Sequence, residues 1–247
     1  AGNDIFVASF DEAATTFEIT QNDTVIGGEG TDTIQLTVAD GGNNAVTVDF
    51  SGNAITNFST VSGVERISLA DAADAITLQL GDIMLGSFNN DLTITTATAA
   101  TAVANVVTAA AVLNSSSTVR YTGGTASNQY TVGNNVDVVD LSSGTDTVNI
   151  TNALFLQSTD QISGGTGADT ASFDVGADAT IAAANLAALS SFETITIVSN
   201  DATTDDFVMT LNDTIVSQNE DSSNNTLTVG VTDDANNGTL KVTATDV

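Results

Sequence analysis

DQISGGTGADTASF, residues 160 to 173, has a near twin in DTVIGGEGTDTIQL, residues 23 to 36. Each copy is an aspartate, a short alternating run, a Gly-Gly-x-Gly turn, a second aspartate and another alternating run. The paired aspartates are nine apart in both copies, Asp23 with Asp32 and Asp160 with Asp169. Glycine is needed where the backbone takes positive φ or where an ion comes close to the main chain. Gly27, Gly28 and Gly30 fill that role in one copy, and Gly164, Gly165 and Gly167 in the other. Turn carbonyls with a carboxylate on either side form an all-oxygen environment, which suits a hard cation such as Ca2+. The runs after the turns (Thr33 to Leu36, Thr170 to Phe173) alternate with period two, the signature of half-buried strands.

GGEGTDTIQ and GGTGADTAS resemble the nonapeptide GGxGxDxUx of the RTX (repeats-in-toxin) family, where U is a large apolar residue. The resemblance implies a parallel β-roll wound from nonapeptides, with Ca2+ held between turns. It implies ligation by the turn carbonyls and by Asp23, Asp32, Asp160 and Asp169. Ala171 departs from the pattern at a U position, and the nonapeptides do not run in a long tandem array. A fainter copy, DVVDLSSGTDTV, places Asp137 and Asp146 nine apart with Ser142 and Ser143 in place of the glycine pair. The chain opens on AGNDIFVAS, which resembles the tail of another nonapeptide.

Charge points the same way. The 247 residues carry 31 Asp and Glu against 3 Lys and Arg, a net charge of −28. Self-repulsion on that scale opposes compaction unless cations screen it, so several Ca2+ ions are expected. Nucleic acid is excluded as a partner because phosphate contacts need basic patches. Cys and His are absent, which removes disulfides, thiol chemistry, most zinc sites and the commonest general base. Arg66, Arg120 and Lys241 are scattered and make no phosphate clamp. The expectation is therefore no enzyme. The apolar Ala- and Thr-rich segment before residue 118 lacks the composition of a membrane span, so no insertion is expected.

A second internal likeness extends the duplication. Val64-Glu65-Arg66-Ile67-Ser68-Leu69 parallels Phe192-Glu193-Thr194-Ile195-Thr196-Ile197. Glu65 and Glu193 read first as solvent-facing strand residues and alternatively as Ca2+ ligands. Two related β modules follow, residues 1–118 and 119–247. The expected fold is all-β: parallel β-roll or β-helix-like turns combined with antiparallel β-sandwich modules, plus one or two short helical turns. A hairpin is expected across Asp40-Gly41-Gly42, a helix over residues 100–113, a helical turn over 182–189, and strands at Thr214 to Val216 and 239–245.

The functional expectation is a structural, Ca2+-stabilised subunit of a bacterial surface layer or extracellular filament. Such a subunit assembles with its own kind, in part by pairing of strand edges. The alternative is a Ca2+-rigidified stalk of a secreted RTX-type adhesin. The resemblance implies an extracellular or cell-surface location reached by one-step (type I) export.

Overall fold

The computed structural model describes residues 2–11, 16–17, 19, 23–38, 45–51, 60–71, 73–97, 102–174, 179–199, 206–220, 226–233 and 239–245. The fold is all-β. A nine-stranded sheet has the order β2 (Thr16–Phe17), β1 (Ile5–Asp11), β4 (Thr33–Val38), β7 (Arg66–Leu69), β9 (Asp91–Thr96), β11 (Thr118–Thr122), β13 (Val136–Asp140), β16 (Gln161–Ser163), β20 (Leu189–Ser190). An eight-stranded sheet has the order β23 (Thr228–Asp233), β21 (Thr194–Ser199), β18 (Thr170–Asp174), β15 (Thr147–Ile150), β12 (Gln129–Thr131), β10 (Val106–Ala111), β8 (Ile76–Gly81), β5 (Val46–Asp49). Among the described residues there are also three small sheets. They are β3 (Val25–Ile26) with β6 (Val61–Ser62), β14 (Ser143–Gly144) with β17 (Thr166–Gly167), and β19 (Ala179–Ile181), β22 (Asp206–Asn212) and β24 (Thr239–Thr245).

The chain passes back and forth between the two large sheets, so neighbours within a sheet are one full coil apart and run the same way. Among the described residues every pairing is parallel except β1 with β2. This corrects the antiparallel expectation. Runs 34–38 and 45–50 are successive in sequence yet lie in different sheets, as β4 and β5. Alternation in the sequence reports that a strand is half-buried, and does not report which strand pairs with it. The turn residues 40–42 themselves lie outside the described residues. Both large sheets continue through residue 118: β9 pairs with β11, and β8 with β10 and then β12.

The core follows from the alternation. One inward column of the nine-stranded sheet stacks Ile34, Ile67, Ile94, Tyr121, Val139, Ile162 and Leu189 in register, all buried. Facing it, the eight-stranded sheet stacks Val48, Leu78, Val107, Tyr130, Val148, Ala171 and Ile195. Ala171 is thus a core residue of its column. Tyr121 and Tyr130 stack at a centroid distance of 6.0 Å. Burying such columns at about 25 cal/mol per Å2 is the main favourable contribution to the fold.

Among the described residues three short helices interrupt the coils: α1 (Asp82–Ser87), α2 (Ala183–Leu186) and α3 (Asp213–Asn219). α2 falls within the helical turn expected at 182–189. Two other expectations are corrected. Residues 106–111 form β10, because Val107 and Ala109 alternate into the core. Residues 214–216 lie in α3, whose first turn is capped by Asn212 Oδ1 accepting from Ile215 N at 3.0 Å. α3 covers the far edge of β20: Ser191 N donates to Gln218 O, and the buried Asn219 amide donates to Leu189 O and accepts from Phe192 N.

Candidate functional site

The polar residues that stand just before the strands form ladders, one rung per coil. At the eight-stranded sheet, Ile76 N donates to Asn105 Oδ1 (3.0 Å), Asn105 N to Asn128 Oδ1 (3.3 Å), and Asn128 N to Asp146 Oδ1 (2.5 Å). Asp146 N then donates to Asp169 Oδ1 (2.8 Å), and Asp169 N to Glu193 Oε2 (2.7 Å). Each side chain therefore takes up the main-chain N–H of the coil before it, where the turn leaves that donor outside the sheet ladder. The nine-stranded sheet repeats the device in the first copy: Asp4 N donates to Asp32 Oδ1 (2.7 Å) and Asp32 N to Glu65 Oε2 (2.8 Å).

Asp32, Asp146 and Asp169 are fully buried. One oxygen of each is used in the ladder. The other, Oδ2, is sealed from solvent and accepts no hydrogen bond. A buried carboxylate oxygen without a partner is costly. Burial pushes the Asp146 and Asp169 carboxyls up to about 6, against hydrogen bonds from Asn128 N and Asp146 N that pull them down. Charge on Asp146 and Glu193 raises Asp169 further.

The glycines beside these oxygens pack coil on coil. A Cβ at Gly27 would stand 1.9 Å from Gly63 O and 2.5 Å from Asp32 Oδ2. At Gly164 it would stand 2.2 Å from Ser191 O and 3.0 Å from Asp169 Oδ2. At Gly167, where φ is +153°, it would stand 1.7 Å from Gly144 O. Thr166 N also donates to Ser142 O at 2.9 Å. The turns are thus stacked main chain on main chain, and the motif carboxylates point at the space that the missing side chains leave. Gly28 and Gly30 take positive φ on the exposed rim of the first turn, and a Cβ at Gly165 in the second would stand 2.2 Å from Ser142 O.

The aspartates nine apart do not share a site. Asp146 and Asp169 precede β15 and β18 of one large sheet, while Asp137 and Asp160 stand at β13 and β16 of the other. A strand of three residues covers about 10 Å, and with its turn it carries the chain from one sheet to the other. Asp137 N donates to Asp160 Oδ1 (3.1 Å), and Gln157 N donates to Asp160 Oδ2 (2.7 Å). Asp137 Oδ1 accepts from Tyr130 Oη (2.5 Å) and Asn135 Nδ2 (2.6 Å), and its Oδ2 from Gly133 N (3.2 Å). Each of these four oxygens accepts at least one hydrogen bond within the protein, unlike Oδ2 of Asp146 and Asp169. Burial pushes Asp137 up to about 7 and Asp160 up to about 6. Asp23 is exposed ahead of β3.

Two ladder residues, Asn105 and Asn128, belong to none of the motifs read from the sequence, and Glu65 and Glu193 lie outside the glycine motif. Asn128 closes GGTASN, residues 123–128, which has the frame of the glycine turn with Asn in place of Asp. Glu65 and Glu193 are partly buried and bonded to the motif aspartates, which corrects their reading as solvent-facing residues.

Among the described residues no group of three or more His, Cys, Asp and Glu stands where it could jointly hold a metal ion. A cation here would depend on main-chain carbonyls together with one or two carboxylates. That donor set fits a hard, oxygen-seeking ion, for which the three unpartnered Oδ2 atoms would be the carboxylate donors. No protein-family model, no curated protein and no solved structure matches the chain.

Proposed function

We propose that this chain is a Ca2+-stabilised, extracellular structural subunit that assembles with its own kind in a surface layer or filament. Its coil stack is read as an RTX-like β-roll. The observation that carries the reading is the set of three buried, unpartnered oxygens: Asp32 Oδ2 and Asp169 Oδ2 beside turn glycines, and Asp146 Oδ2 after the Ser-Ser-Gly turn. The 18-residue coil from Asn128 to Asp146, the length of two nonapeptides, supports the roll. The net charge of −28 supports the need for cations.

Asp32, Asp146 and Asp169 would hold the ions with the turn carbonyls, and the bound ion supplies the positive charge that these sealed oxygens lack. The chain's own part is to fix the donors. Each ladder bond orients one carboxylate oxygen and leaves the other facing the turn. Where the ion binds only the folded chain, occupancy at a hundredfold excess over Kd adds about 2.7 kcal/mol per site. A chain that stays loose in low calcium and sets in the ion-rich exterior suits one-step export.

The test is a thermal melt of the purified chain in calcium and in chelator, with electron microscopy of the calcium sample. A higher Tm in calcium with ordered sheets or fibres supports the subunit. A calcium-dependent Tm with a monomer in the micrographs supports the adhesin stalk, for which a rod of stacked coils is equally suited. A Tm indifferent to chelator overturns both readings.

A further inference from the structure

We infer that Glu65 and Glu193 are the closing ligands of the two motif sites, each giving a carboxylate oxygen to the cation anchored by the motif aspartate of the preceding coil. The inference rests on the calcium reading above and adds a ligand that the glycine motif does not contain.

The two copies arrive at the same arrangement independently. Ile26 is in register with Ser62 and Thr33 with Arg66, so the six residues of GGEGTD face only three in the next coil, Gly63, Val64 and Glu65. Ser163 is in register with Ser190 and Thr170 with Thr194, so the six residues of GGTGAD face only Ser191, Phe192 and Glu193. The coils differ in length, with 33 residues from Asp32 to Glu65 and 24 from Asp169 to Glu193. What they share is a six-residue turn opposed by a three-residue turn that ends in Glu. A short turn draws the main chain back, and the extra methylene of Glu over Asp restores the reach.

Taking up the N–H does not call for a carboxylate. In the same ladder Asn105 and Asn128 do it with neutral amides, accepting from Ile76 N and Asn105 N. A carboxylate at Glu193 places a second negative charge beside the buried Asp169, and Glu65 does the same beside the buried Asp32. Like charges at this range are unfavourable without a cation between them. In each glutamate Oε2 is bonded to the aspartate N–H, and Oε1 takes no hydrogen bond among the described residues. Each site therefore presents two unengaged carboxylate oxygens, the aspartate Oδ2 and the glutamate Oε1, from consecutive coils.

The experiment titrates calcium chloride into the metal-free full chain by calorimetry, for wild type, Glu65→Gln, Glu193→Gln and the double variant, with Asp32→Asn and Asp169→Asn as references. Glutamine keeps an acceptor for the aspartate N–H, so the Tm in chelator should change little. Each single variant should lose one ion or bind it about tenfold more weakly, and the double variant should lose two. Wild-type stoichiometry and affinity in the double variant, alongside loss in Asp32→Asn and Asp169→Asn, would overturn the inference while leaving the calcium reading intact. A Tm in chelator that falls as far as removing calcium lowers the wild type would also overturn it, making the glutamates caps alone. No calcium bound by wild type would remove both.

Discussion

The two glycine turns sit in unlike surroundings. In the second half, ladder rungs from Asn105 to Glu193 follow at 23, 18, 23 and 24 residues, and Asp169 has a carboxylate on each side, Asp146 and Glu193. In the first half the rungs are 28 and 33 residues apart, the coils carry extra strands such as β3 and β6, and of the two acidic residues that flank Asp32 on the ladder, Asp4 and Glu65, Asp4 is exposed where its counterpart Asp146 is buried. The first turn feeds the nine-stranded sheet and the second feeds the eight-stranded one. What survives the change is local: a glycine turn, an aspartate just before the strand, and a glutamate one coil on. The unit that the sequence repeats is therefore the turn with its aspartate and the glutamate one coil on, while the coil length around it differs.

The largest expected effect tests whether the turns are equivalent in packing. Gly27→Ala and Gly167→Ala each drive a Cβ to within 2 Å of a main-chain oxygen, 1.9 Å and 1.7 Å. Each should cost roughly 3 kcal/mol or more in urea unfolding. Gly230→Ala meets nothing within 4 Å and should stay within about 0.5 kcal/mol of wild type. A tolerated Gly27→Ala beside a disabling Gly167→Ala would show that the first copy is the looser one.

Next is pH, which sharpens the contrast because the raised carboxyls named here lie in the second half: Asp137 at about 7, and Asp146, Asp160 and Asp169 at about 6. Each is raised above its unfolded value of about 3.9. The folded chain then binds more protons, and the stability these groups contribute is complete below that value and lost as pH rises through 6 to 7. In chelator, Tm should fall between pH 5 and pH 8, by a loss on the order of 1–3 kcal/mol for each of these groups. Hydrogen exchange should place the loss in residues 128–170. A Tm that rises over that interval in chelator would contradict the account.

Smaller effects separate the occupied carboxylates from the unpartnered ones. Tyr130→Phe removes one donor from Asp137 and should cost about 1–2 kcal/mol, equally in calcium and in chelator. Asn212→Ala removes the cap of α3, the helix that closes the second half, and should cost about 1 kcal/mol.

Much of this was readable beforehand, and the failures have a common cause. The alternation at Thr33 to Leu36 and at Thr170 to Phe173 marked strands where strands are found. Sheet membership was not readable, because β4 and β7 pair across more than thirty residues and no local pattern reports so distant a partner. The spacing of nine was real but measured the step between sheets, so Asp137 and Asp160 were grouped with carboxylates they do not meet. Glu65 and Glu193 looked like surface residues because an outward position says nothing about the turn stacked beside it. The cap of α3 went unread: Asn212 followed by Asp213 is a helix-start signal, but the adjoining alternation reads as a strand at Thr214 to Val216.

The most direct test of the central claim compares wild type with the triple variant Asp32→Asn/Asp146→Asn/Asp169→Asn in thermal melts with calcium and with chelator. Amides at these buried positions remove the three charges that lack partners. The account predicts a wild-type Tm that rises with calcium and a triple variant whose Tm ignores calcium and, in chelator, matches or exceeds wild type. A triple variant that keeps the full calcium-dependent rise would contradict it.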